Sequence, residues 1–148
     1  MHLLDTITIT LAGLMVGNEL AVSAFVNPAL RRLDSGPQAQ ALSILARSLG
    51  RAMPVWYGLC LALLALESFL RRHQTTLPAL LTAVVIWAGA IILSIGVLVP
   101  INNRIASLNT TALTPGWKQE HKRWDSLHRI RILLLAVALL ALTYALVA

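Results

Sequence analysis

The chain has one cysteine and six acidic residues in a length of 148. The lone thiol, Cys60, lies inside an apolar run and excludes an intrachain disulfide framework. Charged residues make up only 12% of the chain, too few to cover an ordinary water-soluble domain. No complete metal-ligand motif is present. No internal repeat relates the two halves, which weakens inverted-repeat transporter readings. The first apolar run has no basic segment before it and no clear small-residue cleavage site. It therefore reads as a retained helix rather than a signal peptide.

The chain is instead rich in long apolar runs, with 57% hydrophobic residues. Four stretches are long enough to cross a bilayer: Thr6–Val26, Met53–Leu70, Leu77–Ile101 and Ile130–Ala148. A spanning helix needs about 20 mostly apolar residues. Lipid leaves helices or a closed barrel as the only spanning solutions, and these runs do not alternate as barrel strands do. The expected fold is all-α, an integral membrane four-helix bundle occupying residues 1–148 as a single domain.

The net charge of +6 would suggest nucleic acid as a partner of a soluble protein. Here the basic residues flank the apolar runs, so the bilayer is the expected partner and nucleic acid is not. Arg31, Arg32, Arg47 and Arg51 lie between the first and second runs. Arg104, Lys118, Lys122, Arg123, Arg129 and Arg131 lie around the connection between the third and fourth, and only Arg71 and Arg72 between the second and third. The positive-inside rule then puts both long connections in the cytoplasm and both termini outside, in a bacterial-type inner or plasma membrane. Trp56 and Tyr57 read as interfacial aromatics at the start of the second span.

The long connections carry their own signals. Gln38–Arg51 places Leu42, Leu45, Ala46 and Leu49 on one face, predicting a cytoplasmic amphipathic helix, lying on the membrane surface or capping the bundle, that Gly50 stops, with Pro54 in the first turn of the next. Asn102-Asn103-Arg104 forms a polar tip on an apolar helix just after Pro100. Asn109-Thr110-Thr111 reads as irregular, and Thr114-Pro115 as an N-cap followed by proline at the first helical position. Gly13 and Gly17 form a small-xxx-small pair suited to close helix approach.

Two sets of side chains point to chemistry. Trp117, His121, Trp124, His128 and Arg131 are spaced 4, 3, 4, 3 and share one helix face, which continues as Leu135 and Ala138. An interfacial anchor belt would use the tryptophans and the arginine but has no need of histidines. The alternative is that this face lines the mouth of a pocket between helices. The two histidines lie about 10 Å apart by helix rise, so they cannot share a metal ion without other helices. In the first span, Glu19 is a carboxylate near mid-membrane and shares a face with Ser23 and Asn27; Asn18 precedes it. Such a group needs a cationic or donor partner, either as a structural clamp or as a proton-carrying or ligand-binding group. Glu67 has Arg71 four residues on, which reads as a helix-end pair.

The run Val99-Pro100-Ile101-Asn102-Asn103-Arg104, then Trp117, Arg123-Trp124 and Leu127-His128-Arg129-Ile130-Arg131 entering an apolar helix, resembles the anthrone oxygenase-like membrane family. The first-span segment Ala24-Phe25-Val26-Asn27-Pro28-Ala29-Leu30-Arg31-Arg32-Leu33 is similar to that family's opening pattern. The resemblance covers nearly the whole chain and implies a four-helix membrane bundle. In some members it implies oxidation of a hydrophobic aromatic substrate. It puts functional weight on Asn102, Arg104, Trp124, His128 and Arg131.

The leading expectation is an oxygenase-like enzyme for a small lipophilic substrate, with a pocket open to the cytoplasmic side between the first, third and fourth helices. Glu19 is the acid/base candidate, and Arg104 and Arg131 stabilise developing oxyanion charge; His128 joins this catalytic set. Asn18, Asn27, Asn102, Asn103, Trp117, His121 and Trp124 are the substrate-binding candidates. Haem or iron held by His128 or His121, and a cofactor-free reaction, both stay open. So does self-association. The alternatives are a proton-coupled small-molecule exporter using Glu19, and a non-catalytic membrane partner subunit.

Overall fold

The computed structural model describes residues 2–109 and 112–147. Among them there is no β-strand. Four helices are long and apolar enough to span a membrane: α1 (His2–Leu30), α2 (Ser35–Leu70), α3 (Leu77–Ala106) and α4 (Trp117–Val147). They pack in the ring α1–α2–α3–α4–α1. The apolar side chains that a soluble protein would hide instead face outward, among them Leu14, Phe25, Val85, Ile92, Leu133 and Leu140. Lipid makes that arrangement stable.

The helices are longer than the bilayer requires. At 1.5 Å per residue α2 spans roughly 54 Å, against about 30 Å of hydrocarbon. The bundle accordingly has two apolar layers. One is built from Ala12, Met15, Cys60, Leu64, Leu80, Ala83, Trp87, Leu135, Ala138 and Leu142. The other joins the first half of α2 to the ends of α3 and α4 through Ala39, Leu42, Ala46, Ile101, Ile105 and Trp117.

Several sequence expectations change here. The segment 38–51 is not a separate helix: Gly50 does not stop it, and Pro54 lies inside continuous α2. Its apolar face is taken up by α3 rather than by a membrane surface. Proline removes the hydrogen bond to the Gly50 carbonyl and loosens that turn. Asn102 fills the loosened region. Its Nδ2 donates to the Ala46 carbonyl at 3.0 Å, and a Cβ on Gly50 would lie 3.0 Å from the same nitrogen. Gly50 thus serves close approach, whereas a Cβ on Gly13 or Gly17 would meet nothing within 4 Å.

Tyr57 is not interfacial but buried. Thr114-Pro115-Gly116-Trp117 is a turn closed by Trp117 N–H to the Thr114 carbonyl, with Gly116 at φ 83°, and α4 starts only at Trp117. Proline second and a positive-φ glycine third is the type II pattern, so Thr114 is not the helix cap. Thr110, Thr111 and Ala148, included in the sequence readings above, lie outside the described residues.

Two π-helical turns, Val22–Val26 in α1 and Ser94–Leu98 in α3, were not foreseen. Each ends one residue before an Asn27-Pro28 or Val99-Pro100 pair. The Asn27 N–H reaches back to Val22, and the Val99 N–H to Ser94. Widening the helix just before proline relieves the clash its ring would make, and such bulges re-aim the side chains around them.

Candidate functional site

Where the two apolar layers meet, the bundle encloses a cavity of about 280 Å³. Its walls are mostly aliphatic, including Val22, Leu45, Leu49, Met53, Ile91 and Leu98, the last three from different turns of α2 and α3. Both π turns contribute to it, through Val22 and through Ser94, Ile95 and Leu98.

One end of the cavity is polar. Glu19, only 3% exposed, accepts hydrogen bonds from Tyr57 Oη at 3.0 Å and from an Arg131 terminal nitrogen at 2.6 Å. The other terminal nitrogen of Arg131 donates to Ser94 Oγ at 2.9 Å, and the guanidinium lies 5.3 Å from the Tyr57 ring centre. A charge-assisted pair of this kind is strong only because its remaining positions are hydrogen-bonded.

His128 completes the group. Its Nε2 lies 3.2 Å from the Glu19 backbone carbonyl, which can only accept, so Nε2 carries a proton. Its Nδ1 lies 2.9 Å from an Arg131 donor and 3.1 Å from Glu19 Oε2. A bare Nδ1 accepts from Arg131, and a protonated one donates to Glu19. The imidazole and the carboxylate are therefore placed to pass a proton between them.

The stripe on α4 forms the adjoining wall. His121, Trp124 and His128 stack as a ladder, with ring centres 6.0 and 4.5 Å apart and planes within 13° and 17° of parallel. Three buried polar atoms on cavity-lining residues make no hydrogen bond among the described residues: His121 Nε2, Trp124 Nε1 and Arg131 Nε. Unpaired buried donors cost about 1–3 kcal/mol each, so three on one cavity call for an explanation.

Of the residues singled out in sequence, Asn18, Glu19, Asn27, Asn102, Asn103, His121, Trp124, His128 and Arg131 all line this cavity. Arg104 and Trp117 do not. Arg104 pairs with Glu120 at the surface at 2.9 Å, and Trp117 packs in the apolar layer beside the cavity. Asn27 turns its amide to Asp125, donating at 2.7 Å.

Sequence reasoning missed three contributors. Tyr57 belongs to a stripe with Cys60, Leu64 and Glu67, a 3, 4, 3 spacing that marks a buried face. Ser94 is positioned by a π turn, which no spacing rule anticipates. Asp125, four residues after His121, gathers Asn27, Arg31 and Arg129 around one buried carboxylate; two of these partners lie at the end of α1, which local spacing on α4 cannot reveal.

The donor set does not fit a metal ion. Among the described residues no three His, Cys, Asp or Glu side chains form a metal-binding group, and both His128 nitrogens are engaged.

The anthrone oxygenase family model matches residues 41–141. No curated protein and no solved structure matches the chain. The matched stretch includes the Asn102-Asn103 tip and the whole α4 stripe, and leaves Glu19 and Asn27 outside. With well over half of the sequence covered by that model and an all-helical fold with four membrane-capable helices, the chain belongs to the anthrone oxygenase family.

Proposed function

We propose that the protein is a membrane oxygenase whose cavity binds a small, flat, lipophilic molecule bearing an acidic or carbonyl oxygen. The unpartnered Trp124 and Arg131 donors at the polar end of an otherwise aliphatic cavity carry this reading. A ring system would lie against the Trp124–His128 ladder, and its oxygen would take up Trp124 Nε1 and Arg131 Nε. Loss of a proton from a methylene conjugated with that carbonyl through the ring system moves charge onto the oxygen, where the fixed guanidinium stabilises it. Glu19 and His128 accept and relay that proton. The resulting enolate gives an electron to dioxygen that has entered the apolar cavity, and the carbon radical and superoxide join in a new C–O bond. The peroxide takes the proton back from the Glu19–His128 relay, and loss of the second methylene proton with cleavage of the O–O bond releases water and leaves a new carbonyl.

The test is dioxygen uptake by the detergent-purified protein supplied with an anthrone. Uptake that is saturable and falls at least about a hundredfold in Arg131→Lys supports the reading, a size expected when a positioned oxyanion donor is lost. Uptake equal to that of the protein-free control refutes it. For membrane orientation, the basic residues favour a cavity open to the cytoplasmic leaflet. Reporter fusions at Thr75 should read outside, and fusions at Gly36 and Leu113 inside; the reverse pattern would invert the bundle.

A further inference from the structure

A second cavity, of about 240 Å³, is lined by Arg31, Gln38, Lys118, His121, Lys122 and Asp125. It shares only His121 with the aliphatic cavity. Its one carboxylate is already engaged, because Asp125 accepts from Asn27, Arg31 and Arg129. Its donors are not. Lys118 and Lys122 make no ion pair among the described residues; Lys118 only approaches the Trp117 ring, at 5.6 Å. Gln38 is 5% exposed and its amide makes no hydrogen bond among the described residues. His121 is 6% exposed, with Nε2 unpartnered. The cavity also borders the N-terminal end of the 31-residue helix α4, whose dipole favours negative charge, while the Trp117, Gln119 and Glu120 N–H groups themselves are taken by the Thr114 and Gly116 carbonyls.

A site that combines a buried amide and imidazole with exposed lysines, with surplus positive charge and its own acceptor filled, is built for an anion. We propose that this cavity holds a phosphate-type oxyanion, either free inorganic phosphate or the phosphate of a lipid headgroup. Its place at the start of α4, where the bundle extends past the hydrocarbon, is the level of lipid phosphates. The oxyanion would accept from the Gln38 amide and from both lysines. The proposal does not depend on the oxygenase reading, since an anion site can exist with or without catalysis next door.

The protein in nanodiscs of phosphatidylcholine should be titrated with inorganic phosphate in one arm and with short-chain phosphatidic acid in the other, following thermal unfolding and calorimetric binding. Binding of phosphate identifies a free anion as sufficient; binding of phosphatidic acid alone identifies a headgroup. The Lys118→Gln/Lys122→Gln pair should weaken binding roughly thirtyfold. Gln38→Leu changes no charge and should weaken it roughly tenfold; Gln38→Met serves if the leucine variant does not fold. Arg51→Gln/Arg72→Gln, removing two charges elsewhere, should leave it unchanged. Absence of binding in both arms overturns the proposal. So does binding that the folded Gln38 variant leaves intact, or that the Arg51/Arg72 pair weakens as much as the lysine pair, because general surface attraction then explains it.

Discussion

Among the described residues, two buried arginines, Arg71 and Arg131, each anchor a carboxylate cluster of nearly the same chemistry, and the two differ in whether they are finished. At the end where α2 turns toward α3, Arg71 donates to Asp5 at 2.6 Å, to Glu67 at 3.3 Å and to Gln74 at 3.2 Å, while Thr8 donates to the second Glu67 oxygen. All three guanidinium nitrogens are used, and neither cavity described above is lined by this cluster. At the other level, Arg131 uses its two terminal nitrogens on Glu19, His128 and Ser94, but its Nε is left over beside the aliphatic cavity. A complete cluster clamps helices together. An incomplete one beside a cavity retains the capacity to bind something else.

The sharpest way to break this contrast is to remove each cluster's centre and read stability and ligand handling separately. Arg71→Met strands Asp5 and Glu67 without their cation, away from both cavities described above. The expected loss is about 3–5 kcal/mol of stability, seen as a large fall in the unfolding temperature in detergent, with substrate binding per folded molecule unchanged. If Arg71→Met proves nearly neutral, the closed cluster is not a clamp.

Glu19→Gln should show the opposite profile. The amide keeps an acceptor for Tyr57 Oη, and Arg131 keeps Ser94 and His128 as partners. The stability cost should stay near 1–2 kcal/mol, while dioxygen uptake is abolished because the proton acceptor is gone. Large destabilisation with binding intact would make Glu19 a second clamp and erase the distinction. Loss of pH-driven export of a lipophilic cation in vesicles, without any dioxygen uptake by the unaltered protein, would move the function to proton-coupled transport.

How much of this was legible beforehand differs between the two clusters for physical reasons. The pair Glu67–Arg71 is an i, i+4 contact and could be read directly, although Asp5 and Thr8 come from another helix and could not. The four spans and the α4 stripe follow from composition and the 3.6-residue period. The stripe's end was misjudged, because Trp117 lies one turn too far out and packs in the second apolar layer. Arg104, one residue past the amide pair, is rotated roughly 100° from Asn103 on an ideal helix and turns to Glu120 at the surface. The π turns answer the prolines that follow them, which no spacing rule reads, and the continuous path of α2 through Pro54 depends on tertiary packing around Asn102 and Gly50. Local signals at Gly50 and Pro54 favour a break there, and the α2–α3 contact overrides them.

The smallest expected effect isolates a single N–H in each setting. Trp87 donates its indole N–H to the Tyr57 carbonyl at 3.3 Å in the closed core, while the Trp124 N–H has no partner among the described residues. Replacing either by Phe removes the N–H and a similar volume of ring. Trp87→Phe loses a satisfied hydrogen bond and core packing, leaves the Tyr57 carbonyl without this donor, and should cost about 1–3 kcal/mol. Trp124→Phe loses ring contact but also removes an unsatisfied buried donor, so the two contributions oppose each other. The ligand-free protein should change by less than about 1 kcal/mol in either direction. Substrate affinity should fall about five- to tenfold in Trp124→Phe and remain unchanged in Trp87→Phe. The comparison needs only thermal unfolding with and without an anthrone. A substrate-induced shift that survives Trp124→Phe in full would mean that the orphaned indole donor is not where the ligand's oxygen binds, leaving Arg131 Nε alone to account for the polar end of the cavity.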